Sequence, residues 1–300
     1  MNDSASQTCF GYSIRSTIDL RFTRPGVSAD QIEVVEMRGA EPQHDEPHLL
    51  HWTTSAGVTG RLYGGGQIFD FWAENVGWYR IAPFDRTIEV PAGTDPLRRE
   101  MHLWGVPSMV TFTRQGDLSL HAVAIERNGR AVIVAAPGKH GKTTLALALH
   151  AAGCRLLTED IARVQMQPLP SVMPGPALLR MRSNPAIPDG MRLVEMGASR
   201  AYLEIEPERR GDGGPVPLAA IVLLHVGDGP EMRMERIDGA AAIRDMWVLA
   251  FRVPDTADRT RAFQQLADLT TTVPVYQFHR PMTFETLPDV VAQVVALCDE

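Results

Sequence analysis

Lysine is almost missing from this 300-residue chain: of 29 basic residues only Lys139 and Lys142 are lysine, and both fall in one turn. Cysteine is scarce as well. Cys9, Cys154 and Cys298 are far apart and lack metal-ligand spacing, so they imply neither a disulfide framework nor a zinc site and read as buried or incidental thiols. No run approaches the roughly 18 apolar residues of a membrane span. Nor is there an excess of positive charge, the formal net charge being −7. These absences argue against both a membrane and a nucleic acid as partner. The first ten residues hold neither the basic nor the apolar part of an export signal, so the expected compartment is the cytoplasm.

What the chain does have is an apolar share of 44% with 22% charged residues, the balance of a globular protein, and its length predicts about two domains. The stretch Ala131–Leu149 reads as strand, turn and helix: an apolar run, then Ala136-Pro-Gly-Lys-His-Gly-Lys-Thr143, then strong helix formers to the natural stop at Gly153. Gly141-Lys142-Thr143-Thr144 is the second half of a phosphate-binding loop. Glycine lets amides approach the oxyanions, lysine neutralises them and a hydroxyl ligates magnesium, while the helix N-terminus adds its positive end. Ala136 replaces the usual first glycine. The two lysines of an otherwise arginine-using chain sit where a compact point charge suits a phosphate. The candidate nucleotide-binding residues are Gly138, Lys139, His140, Gly141, Lys142, Thr143 and Thr144.

Residues 1–110 read as a β-rich module. Tyr12–Phe22 alternates, Gly60–Tyr63, Gln67–Trp72 and Gly77–Ile81 are aromatic-rich runs between glycines, and Thr87–Val90 alternates again. Gly39–His48 is polar and proline-bounded, a solvated loop despite its His44, Asp45, Glu46 and His48. Pro96–Gly105 suits one short helix. In the second module, residues 111–300, Leu118–Ile125 and Ala131–Ala135 flank Asn128-Gly129, the signal of a two-residue hairpin that delivers its return strand into the loop. Arg155–Asp160 is a short strand ending in Glu159 and Asp160, carboxylates of the kind that hold magnesium or take a proton, or an ordinary acidic strand end. Gly227–Pro230 predicts a hairpin between Ile221–Val226 and Glu231–Arg236. Asp255–Leu269 and Leu287–Leu297 have helical spacing; Arg259 and Arg261 are within reach of a phosphate or simply solvated. His121, on an alternating apolar strand, reads by itself as a core histidine.

Leu120-His-Ala, the loop with Gly141-Lys142-Thr143, and Gly153-Cys-Arg-Leu-Leu-Thr-Glu-Asp160 together resemble the C-terminal domain of HPr kinase/phosphorylase, including the shorter HPr-kinase-like proteins encoded beside lasso-peptide type genes. Met173–Met181 and Pro217–Leu224 resemble later strands of that domain. The resemblance implies a phosphoenolpyruvate-carboxykinase-like α/β P-loop domain behind the β-rich module, and the cofactors ATP and Mg2+. It implies His121 as active-site histidine, Lys142 as loop lysine, Thr143 and Asp160 as magnesium ligands, and Asp160, with Glu159 beside it, as general base. It implies transfer to a serine of a peptide or small protein, and, since the related enzymes form rings, a homo-oligomer. Ala136 and Lys139 stand at that family's glycine positions, which keeps open a catalytically weakened nucleotide-binding scaffold. A small-molecule kinase on the same fold is a third reading. Asp189, Glu195 and Glu204 are unassigned acidic candidates for a second metal ligand.

Overall fold

The computed structural model describes residues 6–53, 59–138, 140–182, 187–197, 200–227, 229 and 231–299. The first elements are β1 (Gln7–Cys9), β2 (Tyr12–Ser16), β3 (Arg24–Pro25), β4 (Gln31–Glu36), β5 (Leu50–Thr53), β6 (Thr59–Gly65), β7 (Ile68–Ala73), β8 (Gly77–Ala82), β9 (Thr87–Val90), α1 (Pro96–Leu103) and α2 (Val106–Arg114). The strands form one mixed sheet in the order β3-β1-β2-β4-β9-β8-β7-β6-β5. Period-2 patterning decides which face is buried: β9 turns Ile88 and Val90 inward and leaves Thr87 and Glu89 half-buried. Met109, Val110 and Phe112 of α2 close the same core.

Then follow β10 (Leu118–Arg127), β11 (Arg130–Ala135), α3 (Lys142–Ala151), β12 (Arg155–Thr158), β13 (Ile161–Gln165), β14 (Ser171–Met173), β15 (Leu178–Arg182), β16 (Met191–Met196), β17 (Arg200–Ile205), β18 (Val216–Val226), β19 (Arg233–Ile237), α4 (Gly239–Trp247), α5 (Thr256–Thr272), β20 (Val275–Arg280) and α6 (Leu287–Asp299). Eight of these strands make a second sheet, ordered β11-β10-β13-β14-β18-β20-β19 with β12 on β10, and β15-β17-β16 form a small third one. The second sheet is parallel at its centre: β11 pairs with β18 and β18 with β20. Apolar side chains fill both faces of this sheet, with Leu266 and Leu269 of α5 on one and Leu145, Leu149 and Val294 of α3 and α6 on the other. The molecule is thus a mixed α/β structure of several sheets.

Asn128 and Gly129, at φ 55° and 75°, make the expected tight turn between β10 and β11. Four expectations differ. The alternating Tyr12–Phe22 run is strand only to Ser16, whose hydroxyl bonds to both the N–H and the carbonyl of Ile18, giving the backbone a turn in place of a ladder. The single helix near Pro96–Gly105 is two helices. Trp104 caps the first, Gly105 leaves the helical conformation at φ −94° and ψ −120° as the N-cap of the second, and Pro107 needs no donor in that first turn. The hairpin between β18 and β19 does not form, because β20 lies between them. β18 is apolar on both faces and takes parallel neighbours on both sides, whereas half-exposed β19 suits the edge; Asp228 and Pro230 of the expected turn lie outside the described residues. In the loop 39–48, His44 is half-buried, in place of the expected solvated side chain. Its Nε2 lies 3.0 Å from Asp70 Oδ2 and its ring stacks on Tyr63 with centroids 4.5 Å apart.

Buried arginines tie the first sheet to the second. Arg24 donates from Nε to Gly175 O at 2.8 Å and from Nη2 to Leu156 O and Leu157 O at 2.9 Å, so that it bonds the carbonyls of β12 just before Glu159. A planar fork with five donors can satisfy several carbonyls at once, which a lysine cannot.

Candidate functional site at the carboxyl ends of the parallel strands

Strand register brings the candidate residues to one edge. Ala135 ends β11 opposite Leu223 of β18, which is opposite Gln277 of β20, so Gly138 and Arg280 each lie three residues further in the same direction. Antiparallel β10 places Ala122 opposite Ala135, and hence His121 level with Ala136. β12 runs antiparallel to β10, so it too points its end, Glu159 and Asp160, at this edge. Crevices outside the carboxyl ends of strands are where open α/β sheets bind ligands.

The loop Ala136–Gly141 leads straight into α3. Gly141 is the helix N-cap at φ 77°, a conformation that favours glycine, and a Cβ there would stand 2.8 Å from Arg280 Nη2, so the guanidinium would have to move. Ala136 is buried in the core cluster that holds Leu145 and Val134. Lys142 is 9% exposed; its Nζ donates to Ala136 O at 2.5 Å and Pro137 O at 3.3 Å, and burial lowers its pKa against the pull of Asp160 and Glu159. Thr143 Oγ1 donates to Glu159 Oε1 at 3.0 Å. The hydroxyl therefore meets Glu159, where the expected magnesium pair was Thr143 with Asp160.

Asp160 is engaged elsewhere. Its Oδ1 lies 3.3 Å from His121 Nδ1, and its Oδ2 accepts from Arg180 Nη2 at 2.6 Å. Burial would raise Asp160, but Arg180, His121, Lys142 and Arg200 outweigh it and hold the carboxyl below the usual carboxylate range. Glu159 moves up instead, through burial and the neighbouring Asp160 charge. Burial pushes His121 below its ordinary value, leaving a neutral imidazole at pH 7 that can donate to Asp160; Phe251 holds it edge-on with centroids 6.1 Å apart.

These groups line one cavity of about 430 Å³, within the range of small-molecule sites. Gly138, Gly141, Lys142, Thr143, Thr144, His121, Glu159 and Asp160 all border it. His140 does not: its ring turns back to Gly138 O at 3.0 Å while its carbonyl accepts from Arg280. Lys139 lies outside the described residues. Arg180, Arg200 and Arg280, to which the sequence gave no role, complete the wall, so four cations face two carboxylates in a chain of negative net charge. Arg280 is 4% exposed and, among the described residues, pairs with no carboxylate; its Nε has no partner.

The other candidates are used structurally. Arg261 pairs with Asp258 and donates to Thr113 O, which removes it from phosphate duty. Glu204 is buried among Arg21, Arg192 and Arg210, and Glu195 lies 3.6 Å from Arg98. Neither these nor Asp189 borders the cavity. Among the described residues no three His, Cys, Asp or Glu side chains gather to hold a metal ion by themselves.

No family model and no curated protein matches the chain. Among solved structures it is similar to the Hpr(Ser) kinase/phosphatase from Coxiella burnetii, over 59% of this chain and 88% of that one, at 14% identity and a TM-score of 0.33. At that score the likeness carries no weight for function. Among the described residues no helix is long and apolar enough to cross a membrane.

Proposed function

We propose that the chain is an ATP-dependent kinase that phosphorylates a hydroxyl, and that its acceptor is a serine of a peptide or small protein. The observation that carries this reading is the Thr143–Glu159 contact at 3.0 Å, set between a buried loop lysine on one side and the His121–Asp160 pair on the other. A loop hydroxyl paired with a carboxylate at the end of a neighbouring strand is the arrangement that takes magnesium in phosphate-loop proteins. The residues fit a polyanion on two further counts. The Gly141 cradle is one that a Cβ would fill, and Arg280 offers an orphaned Nε in the same wall. Ala136 is buried in the core cluster and its φ is not positive, so its backbone does not need the glycine it replaces, which supports an active kinase over a weakened scaffold.

Bound MgATP supplies the transferable phosphoryl group. Lys142, Arg280 and the amide-lined N-terminus of α3 hold the phosphates, and Thr143 and Glu159 hold the metal. Arg180 neutralises charge beside the reacting centre. Asp160 accepts the hydrogen bond of the acceptor hydroxyl and takes its proton at Oδ1 or Oδ2. Its low pKa makes it a weak base, which suits transfer through a loose transition state in which the proton leaves late. His121, with Nδ1 3.3 Å from Asp160 Oδ1, supports that carboxylate from the side. The acceptor class comes from the likeness of residues 118–164 to the HPr kinase domain. Serine-containing peptides incubated with MgATP and read by mass spectrometry are expected to gain one phosphoryl group; nucleotide binding with no phosphorylated peptide would favour the scaffold.

A further inference from the structure

We propose that Met282 and Phe284, on the segment between β20 and α6, form the seat for the base of the nucleotide. This inference rests on the phosphate-loop reading of the same cavity. The cavity is polarised. Strand pairing sets β10, with His121 beside Asp160 and Arg180, on one side of β11 and its loop, and β20 beyond β18 on the other. The segment after β20 brings Met282, Thr283, Phe284 and Leu287 to the cavity next to Arg280, while Met181 follows Arg180 on the first side. The end that can take a hydroxyl's proton must face the terminal phosphate, so the apolar end receives what lies beyond the first phosphate, the ribose and base.

Two large apolar side chains left in water mark that end: Phe284 is 78% exposed and Met282 is 54% exposed. The segment is held to the loop, not adrift from it. Arg280 Nη2 donates to His140 O at 3.0 Å, and Met282 Sδ lies 3.8 Å from where a Gly141 Cβ would be. Behind it, Leu287 N donates to Phe284 O at 3.2 Å as α6 begins. An aromatic face and a polarizable thioether are what a flat base stacks on, and such stacking tolerates any base. The phosphates are gripped by charge and the base by apolar contact, so the two grips are separable by substitution.

Calorimetry on the full chain tests this with two probes, MgATP and magnesium tripolyphosphate, the second carrying phosphates without a base. Phe284→Ala, at an exposed position that packs little of the core, is expected to weaken MgATP by about tenfold or more while leaving tripolyphosphate within about twofold. Phe284→Trp is expected to restore the MgATP affinity. Unchanged MgATP affinity in the alanine variant overturns the proposal, as does an equal loss for both probes, which would mean a disturbed loop. If the unaltered chain binds neither probe, it is the phosphate-loop reading itself that fails.

Discussion

Adding one methyl group at Gly141 should cost more than adding it at Gly153, and the difference is calculable. Both glycines have positive φ, 77° and 90°, so alanine at either meets the left-handed penalty of about 1 to 2 kcal/mol. At Gly153 nothing lies within 4 Å of the new Cβ, whereas at Gly141 it meets Arg280 Nη2 at 2.8 Å. Moving Nη2 out of the way loosens its part-buried hydrogen bond to His140 O, a further loss of about 1 kcal/mol. Urea titrations should therefore place Gly141→Ala about 2 to 3 kcal/mol below the unaltered chain and Gly153→Ala about 1 to 2 kcal/mol below it. Tripolyphosphate affinity should fall only in the first. Combining Gly141→Ala with Arg280→Ala should show non-additivity, since the clash disappears with its partner. Equal destabilisation at both glycines, or strict additivity of the pair, would refute the claim that Arg280 packs on the loop.

Lys142→Ala should lower MgATP affinity by about 10- to 100-fold, the loss of a charge-assisted contact made in ground and transition state alike, and calorimetry would expose an unchanged affinity as contradiction. His102 tests the pH dependence of stability. Burial, with Arg180 and Arg98 nearby, lowers its pKa to about 4 from an ordinary 6.5. The unfolded chain therefore takes the proton first, and stability that is whole above pH 6.5 is lost as pH falls toward 4, by up to about 3 kcal/mol. His102→Gln should flatten that part of the curve in denaturant titrations at stepped pH; a curve of unchanged slope would put the titration elsewhere.

Ala131 to Gly153 was legible in the sequence because its signals are local: an apolar run, a small-residue turn, helix formers and a glycine stop follow one another in the chain. The rarity of lysine marked Lys142. Arginine gave no such mark, and Arg180, Arg200 and Arg280 went unassigned because register across β11, β18 and β20 and pairing within β15 and β17 bring them to the cavity, neither of which is written locally. The same cause misled the reading of Gly227–Pro230: a turn signal says that a chain reverses, not that a third strand enters the gap. His140, placed at the phosphates by its neighbours in sequence, instead has its ring 3.0 Å from Gly138 O and off the cavity wall, a local contact the sequence did not announce. The aromatic runs of the first sheet announced strands correctly, yet nothing in them announced that Arg24 would brace β12 from behind.

In the proposed mechanism binding and transfer use separate groups, Lys142 with the loop for the first and Asp160 with His121 for the second. Asp160→Asn keeps the shape of the side chain and removes its charge. Measured on one preparation for MgATP affinity and for phosphoryl transfer to a serine peptide, this variant should bind nucleotide nearly as the unaltered chain does and transfer about 10²- to 10⁴-fold more slowly, the range for loss of a general base. Transfer at the unaltered rate, with binding intact, would contradict it.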